Sequence, residues 1–171
     1  MSQRALSLER LDGSHNVEPF DSGRGELDEW LKRHAVAAQQ MDTARTFVAV
    51  ASGQVLGYFS LAMGSVLRAD APKSMVRGMP GYPVPMVLIA RLAVTRCSQG
   101  SGLGARLLAD ALRMAVLAGE SAAARLIVVD AIDDDAANFY RRFGFVAPLD
   151  HELRLFRKMK DVRASLDIAA N

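Results

Sequence analysis

Three glycines in five residues, Gly100, Gly102 and Gly104, separate an apolar run from an amphipathic one, and this junction constrains the fold more than any other stretch. Residues 86–94 are apolar on both faces apart from Arg91, which predicts a buried strand. Over residues 103–118, Leu103, Leu107, Leu108, Ala111, Ala115 and Ala118 share one stripe, with Arg106, Asp110 and Arg113 opposite; this predicts a helix. A strand that turns through glycines into a helix can bring backbone N–H groups close to a ligand. The helix dipole adds partial positive charge there, so an anion such as a pyrophosphate is the natural guest. The apolar run 126–130 then predicts a second buried strand, parallel to the first and reached by a right-handed crossover.

Two motifs fit the glycines. Gly100-x-Gly102-x-x-Ala105 fits the dinucleotide fingerprint, with Asp130 closing the next strand where a ribose-binding acid would stand. Gln99-x-x-Gly102-x-Gly104 fits the pyrophosphate loop Q/R-x-x-G-x-G/A of the GNAT superfamily of N-acetyltransferases. The dinucleotide motif needs its glycines directly at the strand end, near the start of a large domain. Here residues 95–98 intervene, and the remaining chain is too short for the second half of a doubly wound sheet, so the GNAT motif is preferred.

At 171 residues the chain is long enough for one domain with a real core. Its formal net charge of +2 permits a local basic patch but does not by itself argue for nucleic acid. A single cysteine excludes a disulfide framework, and Cys97, with no histidine nearby in sequence, reads as a small space-filling thiol. No membrane-length apolar run and no signal-peptide pattern is present, so the expected address is the cytoplasm, with no membrane partner.

Residues 5–11 predict a first strand. Asp21 or Ser22 is the expected cap of a helix in which Leu27, Trp30, Leu31, His34, Ala35 and Ala38 share a face, with His34 packed among them. Residues 46–51 and 54–61 predict a hairpin closed by Ser52-Gly53. The stretch 63–83 has no clear periodicity, apart from a short helix allowed around 72–77. Asp133-Asp134-Asp135 opens another helix by capping and dipole complementarity rather than as a metal site. That helix carries Asn138, Phe139, Tyr140 and Phe143 and ends at Gly144. Phe139 and Phe143 lie on one face, with Tyr140 turned about 100° from Phe139. Residues 153–159 predict a last strand, and 161–171 a frayed tail or short helix.

If the anion is coenzyme A, acetyl transfer to an amine needs a backbone donor for the thioester carbonyl. The exposed end of the strand at Leu92, Ala93 and Val94 is the candidate, provided that the strand parts from its neighbour there. The departing thiolate wants a proton, since a free thiol has a pKa of about 8.5, and Tyr140 fits that role. Residues 86–94 hold no Asp, Glu or His as general base. A lysine ammonium at about 10.4 would need one, whereas an α-amine at about 7.7–8.0 is already substantially neutral; the chain leans towards an α-amine substrate.

With these pieces in place, the chain resembles the TacT-like acetyltransferase toxins of bacterial toxin–antitoxin pairs, a branch of the GNAT superfamily. The matching pieces include Phe20-Asp21-Ser22-Gly23 with Leu27 and Trp30-Leu31; Arg45-Thr46-Phe47-Val48; Gly57-Tyr58; Pro83-Val84-Pro85; Arg91-Leu92-Ala93-Val94; Asp130-Ala131; and Phe139-Tyr140-Arg141-Arg142-Phe143-Gly144-Phe145. Where the branch often carries an acid after Leu92-Ala93-Val94, this chain has Thr95. The resemblance implies acetyl-CoA as donor substrate without a metal, aminoacyl-tRNA as acceptor, and blocked translation. It implies a homodimer, a neutralising antitoxin of ribbon-helix-helix type, and operator DNA bound only through the antitoxin complex. Tyr140 matches the catalytic tyrosine. Leu92, Ala93, Val94, Gln99, Gly100, Ser101, Gly102, Leu103 and Gly104 match the donor-binding strand end and loop, and Asn138 the contact to the pantetheine arm. Lys32, Arg33, Arg45, Arg77 and Arg91 are the RNA-phosphate candidates. The implied fold is a single-domain α/β (α+β) GNAT fold over 1–160, with 161–171 as C-terminal tail. Its mixed sheet has about six or seven strands, with a splayed parallel pair at the acetyl-CoA site, and about four flanking helices. The competing readings are a housekeeping acetyltransferase of a small amine or protein N-terminus, and a protein acting chiefly as an antitoxin-binding corepressor.

Overall fold

The structure, a computed structural model, describes residues 5–170. Its six strands are β1 (Ser7–Arg10), β2 (Arg45–Ala51), β3 (Gln54–Val66), β4 (Val84–Val94), β5 (Leu126–Asp130) and β6 (Arg154–Lys158), in one mixed sheet of order β1-β2-β3-β4-β5-β6. β4 and β5 run parallel; β1–β2, β2–β3 and β5–β6 are antiparallel. Six α-helices occur among the described residues: α1 (Gly25–Arg33), α2 (Ala35–Gln40), α3 (Lys73–Val76), α4 (Leu103–Ala122), α5 (Asp134–Arg141) and α6 (Met159–Ala170). α2 and α3 are only six and four residues long. The chain divides into two compact units, one of residues up to 62 with 91–111, the other of 63–90 with the residues from 112 onward.

In the first unit the β2–β3 hairpin turns at Ser52 and Gly53, both with positive φ (51° and 75°), the backbone of the primed turns that match strand twist. Its core joins Leu11, Phe20, Leu31, Ala35, Val48, Val55, Tyr58 and Ala93. Two expectations fail here. His34 is exposed, not packed, because the helix breaks at this residue, which ends α1 and begins α2 (φ −122°, ψ −26°); the stripe restarts one residue later with buried Ala35. Neither Asp21 nor Ser22 caps α1. Its N-cap is Arg24, with no side-chain cap, because the helix starts later than the sequence suggests and Ser22 is engaged by Asp28.

In the second unit β5 is buried from Leu126 to Val129, as a strand covered on both faces should be. Val84, Met86, Leu126, Val128 and Phe156 line a core that α3 enters through Met75 and Val76. The aperiodic stretch after residue 62 resolves into the end of β3, a 3₁₀ turn at Arg68–Asp70, and α3 with Pro72 at its N-cap. The stretch expected as a tail or short helix belongs to α6, which starts at Met159 and buries Val162 completely.

Candidate functional site

The β4–β5 ladder runs from Met86↔Leu126 to Ile89↔Val129, while β4 continues to Val94. In that continuation Ala93 is buried, and Leu92 and Val94 are half-buried. Thr95 then turns the chain: its N–H donates to Leu56 O (2.8 Å) and its hydroxyl to Asp21 O (3.1 Å). After a 3₁₀ turn at Arg96–Ser98 come Gln99, Gly100, Ser101 and Gly102, all exposed, and then α4, anchored by buried Leu103. Gly100 (φ 77°) and Gly102 (φ 88°) occupy left-handed backbone, and a Cβ on either would meet nothing within 4 Å. These glycines are therefore needed for conformation, and the space beside them is open. Ser101 hydroxyl donates to Ser98 O, which braces the turn. Arg106 N–H bonds back to Gly102 O, so the N–H groups just before it in α4 have no carbonyl of their own helix to meet. An open glycine cradle at the N-terminus of a twenty-residue helix fits a pyrophosphate.

Gln99 plays a part the motif does not reveal. Its side-chain amide donates to Ser22 O (2.7 Å) and to Val94 O (2.9 Å), tying the glycine turn both to β4 and to the segment before α1. Ser22 is itself held by Asp28, a buried carboxylate on α1 that accepts from the Ser22 N–H (3.0 Å) and hydroxyl (2.6 Å). Sequence reasoning missed Asp28. The available signal was an acid set between Leu27 and Leu31 of the buried stripe, six residues after a serine.

The RNA-contact candidates lie on three different elements and in the loop after α3. Lys32 and Arg33 lie on the last turn of α1, Arg45 begins β2, Arg91 lies on β4, and all four belong to the first unit; Arg77 belongs to the second. Arg33 pairs with Glu29 (3.1 Å), and Arg45 with Asp42 and the Gln39 carbonyl. Arg91 is half-buried, its guanidinium 4.1 Å over the Trp30 ring. Trp30 in turn stacks on Tyr58 at 6.1 Å, and the Tyr58 hydroxyl donates to Leu27 O. Burial lowers the Arg91 pKa, partly opposed by Tyr58 and Glu26. Arg77 is exposed in an open groove with Leu67, Arg68, Lys73 and Val76.

In the second unit Asp133 caps α5, its carboxylate accepting from Ala136 N–H (2.9 Å). Tyr140 is only 5% exposed; Phe139 and Phe143 are half-buried. The inward face of α5 is therefore the tyrosine's, not that of the phenylalanine pair. The Tyr140 ring meets Phe139 (5.3 Å) and Phe145 (6.0 Å) edge-on. Burial, and secondarily the Asp130 carboxylate, pushes its hydroxyl pKa well above the ordinary value. Asp130 is gripped by both arms of Arg154 (2.7 and 2.9 Å), which occupies the carboxylate a ribose would need. Asn138 is exposed, with its Oδ1 accepting from Arg141 (2.9 Å). No helix among the described residues is long and apolar enough to cross a membrane.

In this mixed sheet strand β4, parallel to β5, leads through an open glycine cradle into the long helix α4. Residues 42–147 match the acetyltransferase (GNAT) domain, and the chain belongs to this family. It is 44% identical over 156 residues to the tRNA-acetylating toxin of Mycobacterium tuberculosis, across 91% of this chain and 93% of that one. Among solved structures it is similar to AtaT complexed with acetyl-methionyl-tRNAfMet (TM-score 0.86, 29% identity, covering 95% of this chain and 99% of that one). It is also similar to a tyrosine-to-phenylalanine variant of AtaT bound to the C-terminus of the antitoxin AtaR and acetyl-CoA (TM-score 0.81, 28% identity, 94% and 97%).

Proposed function

We propose that this chain is an acetyl-CoA-dependent N-acetyltransferase toxin that acetylates the α-amino group of aminoacyl-tRNA, and so blocks translation until an antitoxin neutralises it. The observation that carries this is the 44% identity, over nine-tenths of the chain, to a relative that acetylates tRNA. Acetyl-CoA supplies an acyl group already activated as a thioester. The loop Gln99, Gly100, Ser101, Gly102, Leu103 and Gly104 receives the pyrophosphate, the backbone of Leu92, Ala93 and Val94 the thioester carbonyl, and Asn138 the pantetheine arm. Tyr140 gives its proton to the departing sulfur as the C–N bond forms and the C–S bond breaks; the proton released from the acylated nitrogen restores it. Lys32, Arg33, Arg45, Arg77 and Arg91 contact RNA phosphate. The working form is a cytoplasmic homodimer, its antitoxin is of the ribbon-helix-helix type, and operator DNA is reached only through the complex of the two.

The test offers the purified protein acetyl-CoA with either total aminoacyl-tRNA or free amino acids and peptides at equal concentration. Transfer confined to the tRNA-borne amine is expected, weakening steeply as salt rises because phosphate contacts release counterions. Equal acetylation of the free amines would establish a small-amine or N-terminal acetyltransferase instead, and no transfer to any acceptor would favour the corepressor reading.

A further inference from the structure

We propose that Asp28 and Ser22 are positioning residues of the donor loop, setting the place of Gln99, and with it the glycine turn, through the Ser22 carbonyl. This rests on the reading that the loop from Gln99 to Gly104 holds the donor's pyrophosphate. Two consecutive peptide planes carry the argument. The plane between Asp21 and Ser22 is pinned at both edges: its N–H by the Asp28 carboxylate (3.0 Å), its carbonyl by Arg96 N–H (2.8 Å) and the Thr95 hydroxyl (3.1 Å). The plane between Ser22 and Gly23 is pinned likewise: its N–H by the Asp21 carboxylate (2.9 Å), its carbonyl by the Gln99 amide (2.7 Å). Thr95, Arg96 and Gln99 all belong to the run from β4 into the glycine turn, so that run is seated on two fixed carbonyls.

Asp28 is only 9% exposed and Ser22 only 6%. A buried carboxylate is costly unless its hydrogen bonds are made, and bonds to a charged acceptor are about twice as strong as neutral ones. An N-cap would be a cheaper use of such an acid, yet α1 has no side-chain cap. What Asp28 secures is the orientation of Ser22, and through it the acceptor for Gln99. The Gln99 amide also takes Val94 O, so both its hydrogens face carbonyls and its orientation has no alternative.

The test is a double-mutant cycle read by calorimetric acetyl-CoA affinity, the KM for acetyl-CoA, kcat and thermal stability. Asp28→Asn keeps the volume and removes the charge; Gln99→Ala, at an exposed position, removes the amide. Each alone should weaken acetyl-CoA binding about tenfold or more, the scale of a lost charge-assisted hydrogen bond, and raise KM in step while kcat at saturating donor holds within about twofold. The double variant should lose less than the product of the two single losses, because Asp28 and Gln99 hold the same residue, Ser22. A lowered melting temperature with unchanged affinity, or losses that multiply in the double variant, would show a merely structural role and overturn the proposal. If Asp28→Asn does not fold, Ser22→Ala takes its place in the same cycle with the same expectations. Gly102→Asp separates the premises. If it abolishes binding while Asp28→Asn and Ser22→Ala bind as wild type, only the positioning role fails. If Gly102→Asp itself binds normally, the donor-loop reading fails and the proposal falls with it.

Discussion

Tyr140 is placed where ionisation is resisted from two sides. Aromatic neighbours remove water from its ring, and the nearby Asp130 carboxylate opposes a second negative charge. The hydroxyl therefore stays protonated throughout the physiological range and remains able to give a proton to a departing thiolate. Tyr140→Phe keeps the ring between Phe139 and Phe145 and deletes only the oxygen. Turnover should fall about 10²–10⁴-fold, the usual worth of a general acid, with acetyl-CoA affinity nearly unchanged. Single-turnover transfer to aminoacyl-tRNA measures this, and a rate within about threefold of wild type would leave the tyrosine a packing residue only. The sequence proposes a proton donor at this position but does not reveal its burial. Phe139 and Phe143 are four apart and read as the apolar face. Which side of a short helix turns inward is set by neighbours outside the helix, here Phe145 and the end of β5, which helical spacing alone does not supply.

The helix that carries Tyr140 is short. At eight residues α5 would be marginal in isolation, so its ends matter. Asp133 caps it, Asp134 and Asp135 complement its dipole, and buried Ala137 and Tyr140 hold it to the rest of the unit. Asp133→Ala should cost about 1 kcal/mol, a fall in melting temperature of about 2–4 °C for a chain of this size. Thermal unfolding followed by circular dichroism checks this, and an unchanged midpoint would mean that another group takes over the Ala136 N–H. This cap was legible because three acids immediately precede an apolar periodic run. The start of α1 was misread for the complementary reason: Asp21 and Ser22 look like caps, but their partners are Arg96, Thr95, Gln99 and Asp28, three of them more than seventy residues away. β4, β5, the hairpin and α4 were visible from periodicity and turn chemistry, since burial on both faces and a two-residue turn leave local marks. His34 was misplaced because the break between α1 and α2 resets the helical phase without glycine or proline to announce it.

Over the whole molecule, titrating groups oppose one another at the two ends of the pH scale. Glu9, Asp12, Asp21 and Asp42 are all held below their ordinary values by hydrogen bonds, from His15 and Ser7, from Ser14, from Gly23 N–H and Arg96, and from Arg45 respectively. Depressed carboxylates contribute stability that is present above their unfolded values, 3.8 for Asp and 4.5 for Glu, and is lost as pH falls through the lower folded ones. Tyr140 works in the opposite sense. Below its ordinary value of 10.0 the phenol is protonated in both folded and unfolded chains, and its contribution is complete. Between 10.0 and the higher folded value the unfolded tyrosine ionises while the folded one does not. Unfolding then releases a proton and is favoured as pH rises. Urea unfolding midpoints should therefore be level through neutral pH, fall below about pH 4 as the carboxylates protonate, and fall again above about pH 10. The alkaline fall isolates Tyr140 when wild type and Tyr140→Phe are compared, since the other tyrosines are common to both. The phenylalanine variant should lose less stability than wild type over that window and follow it closely below it. Superimposable alkaline limbs would show that the Tyr140 hydroxyl ionises as readily in the folded protein as in the unfolded chain, and that its burial and the Asp130 carboxylate do not resist ionisation.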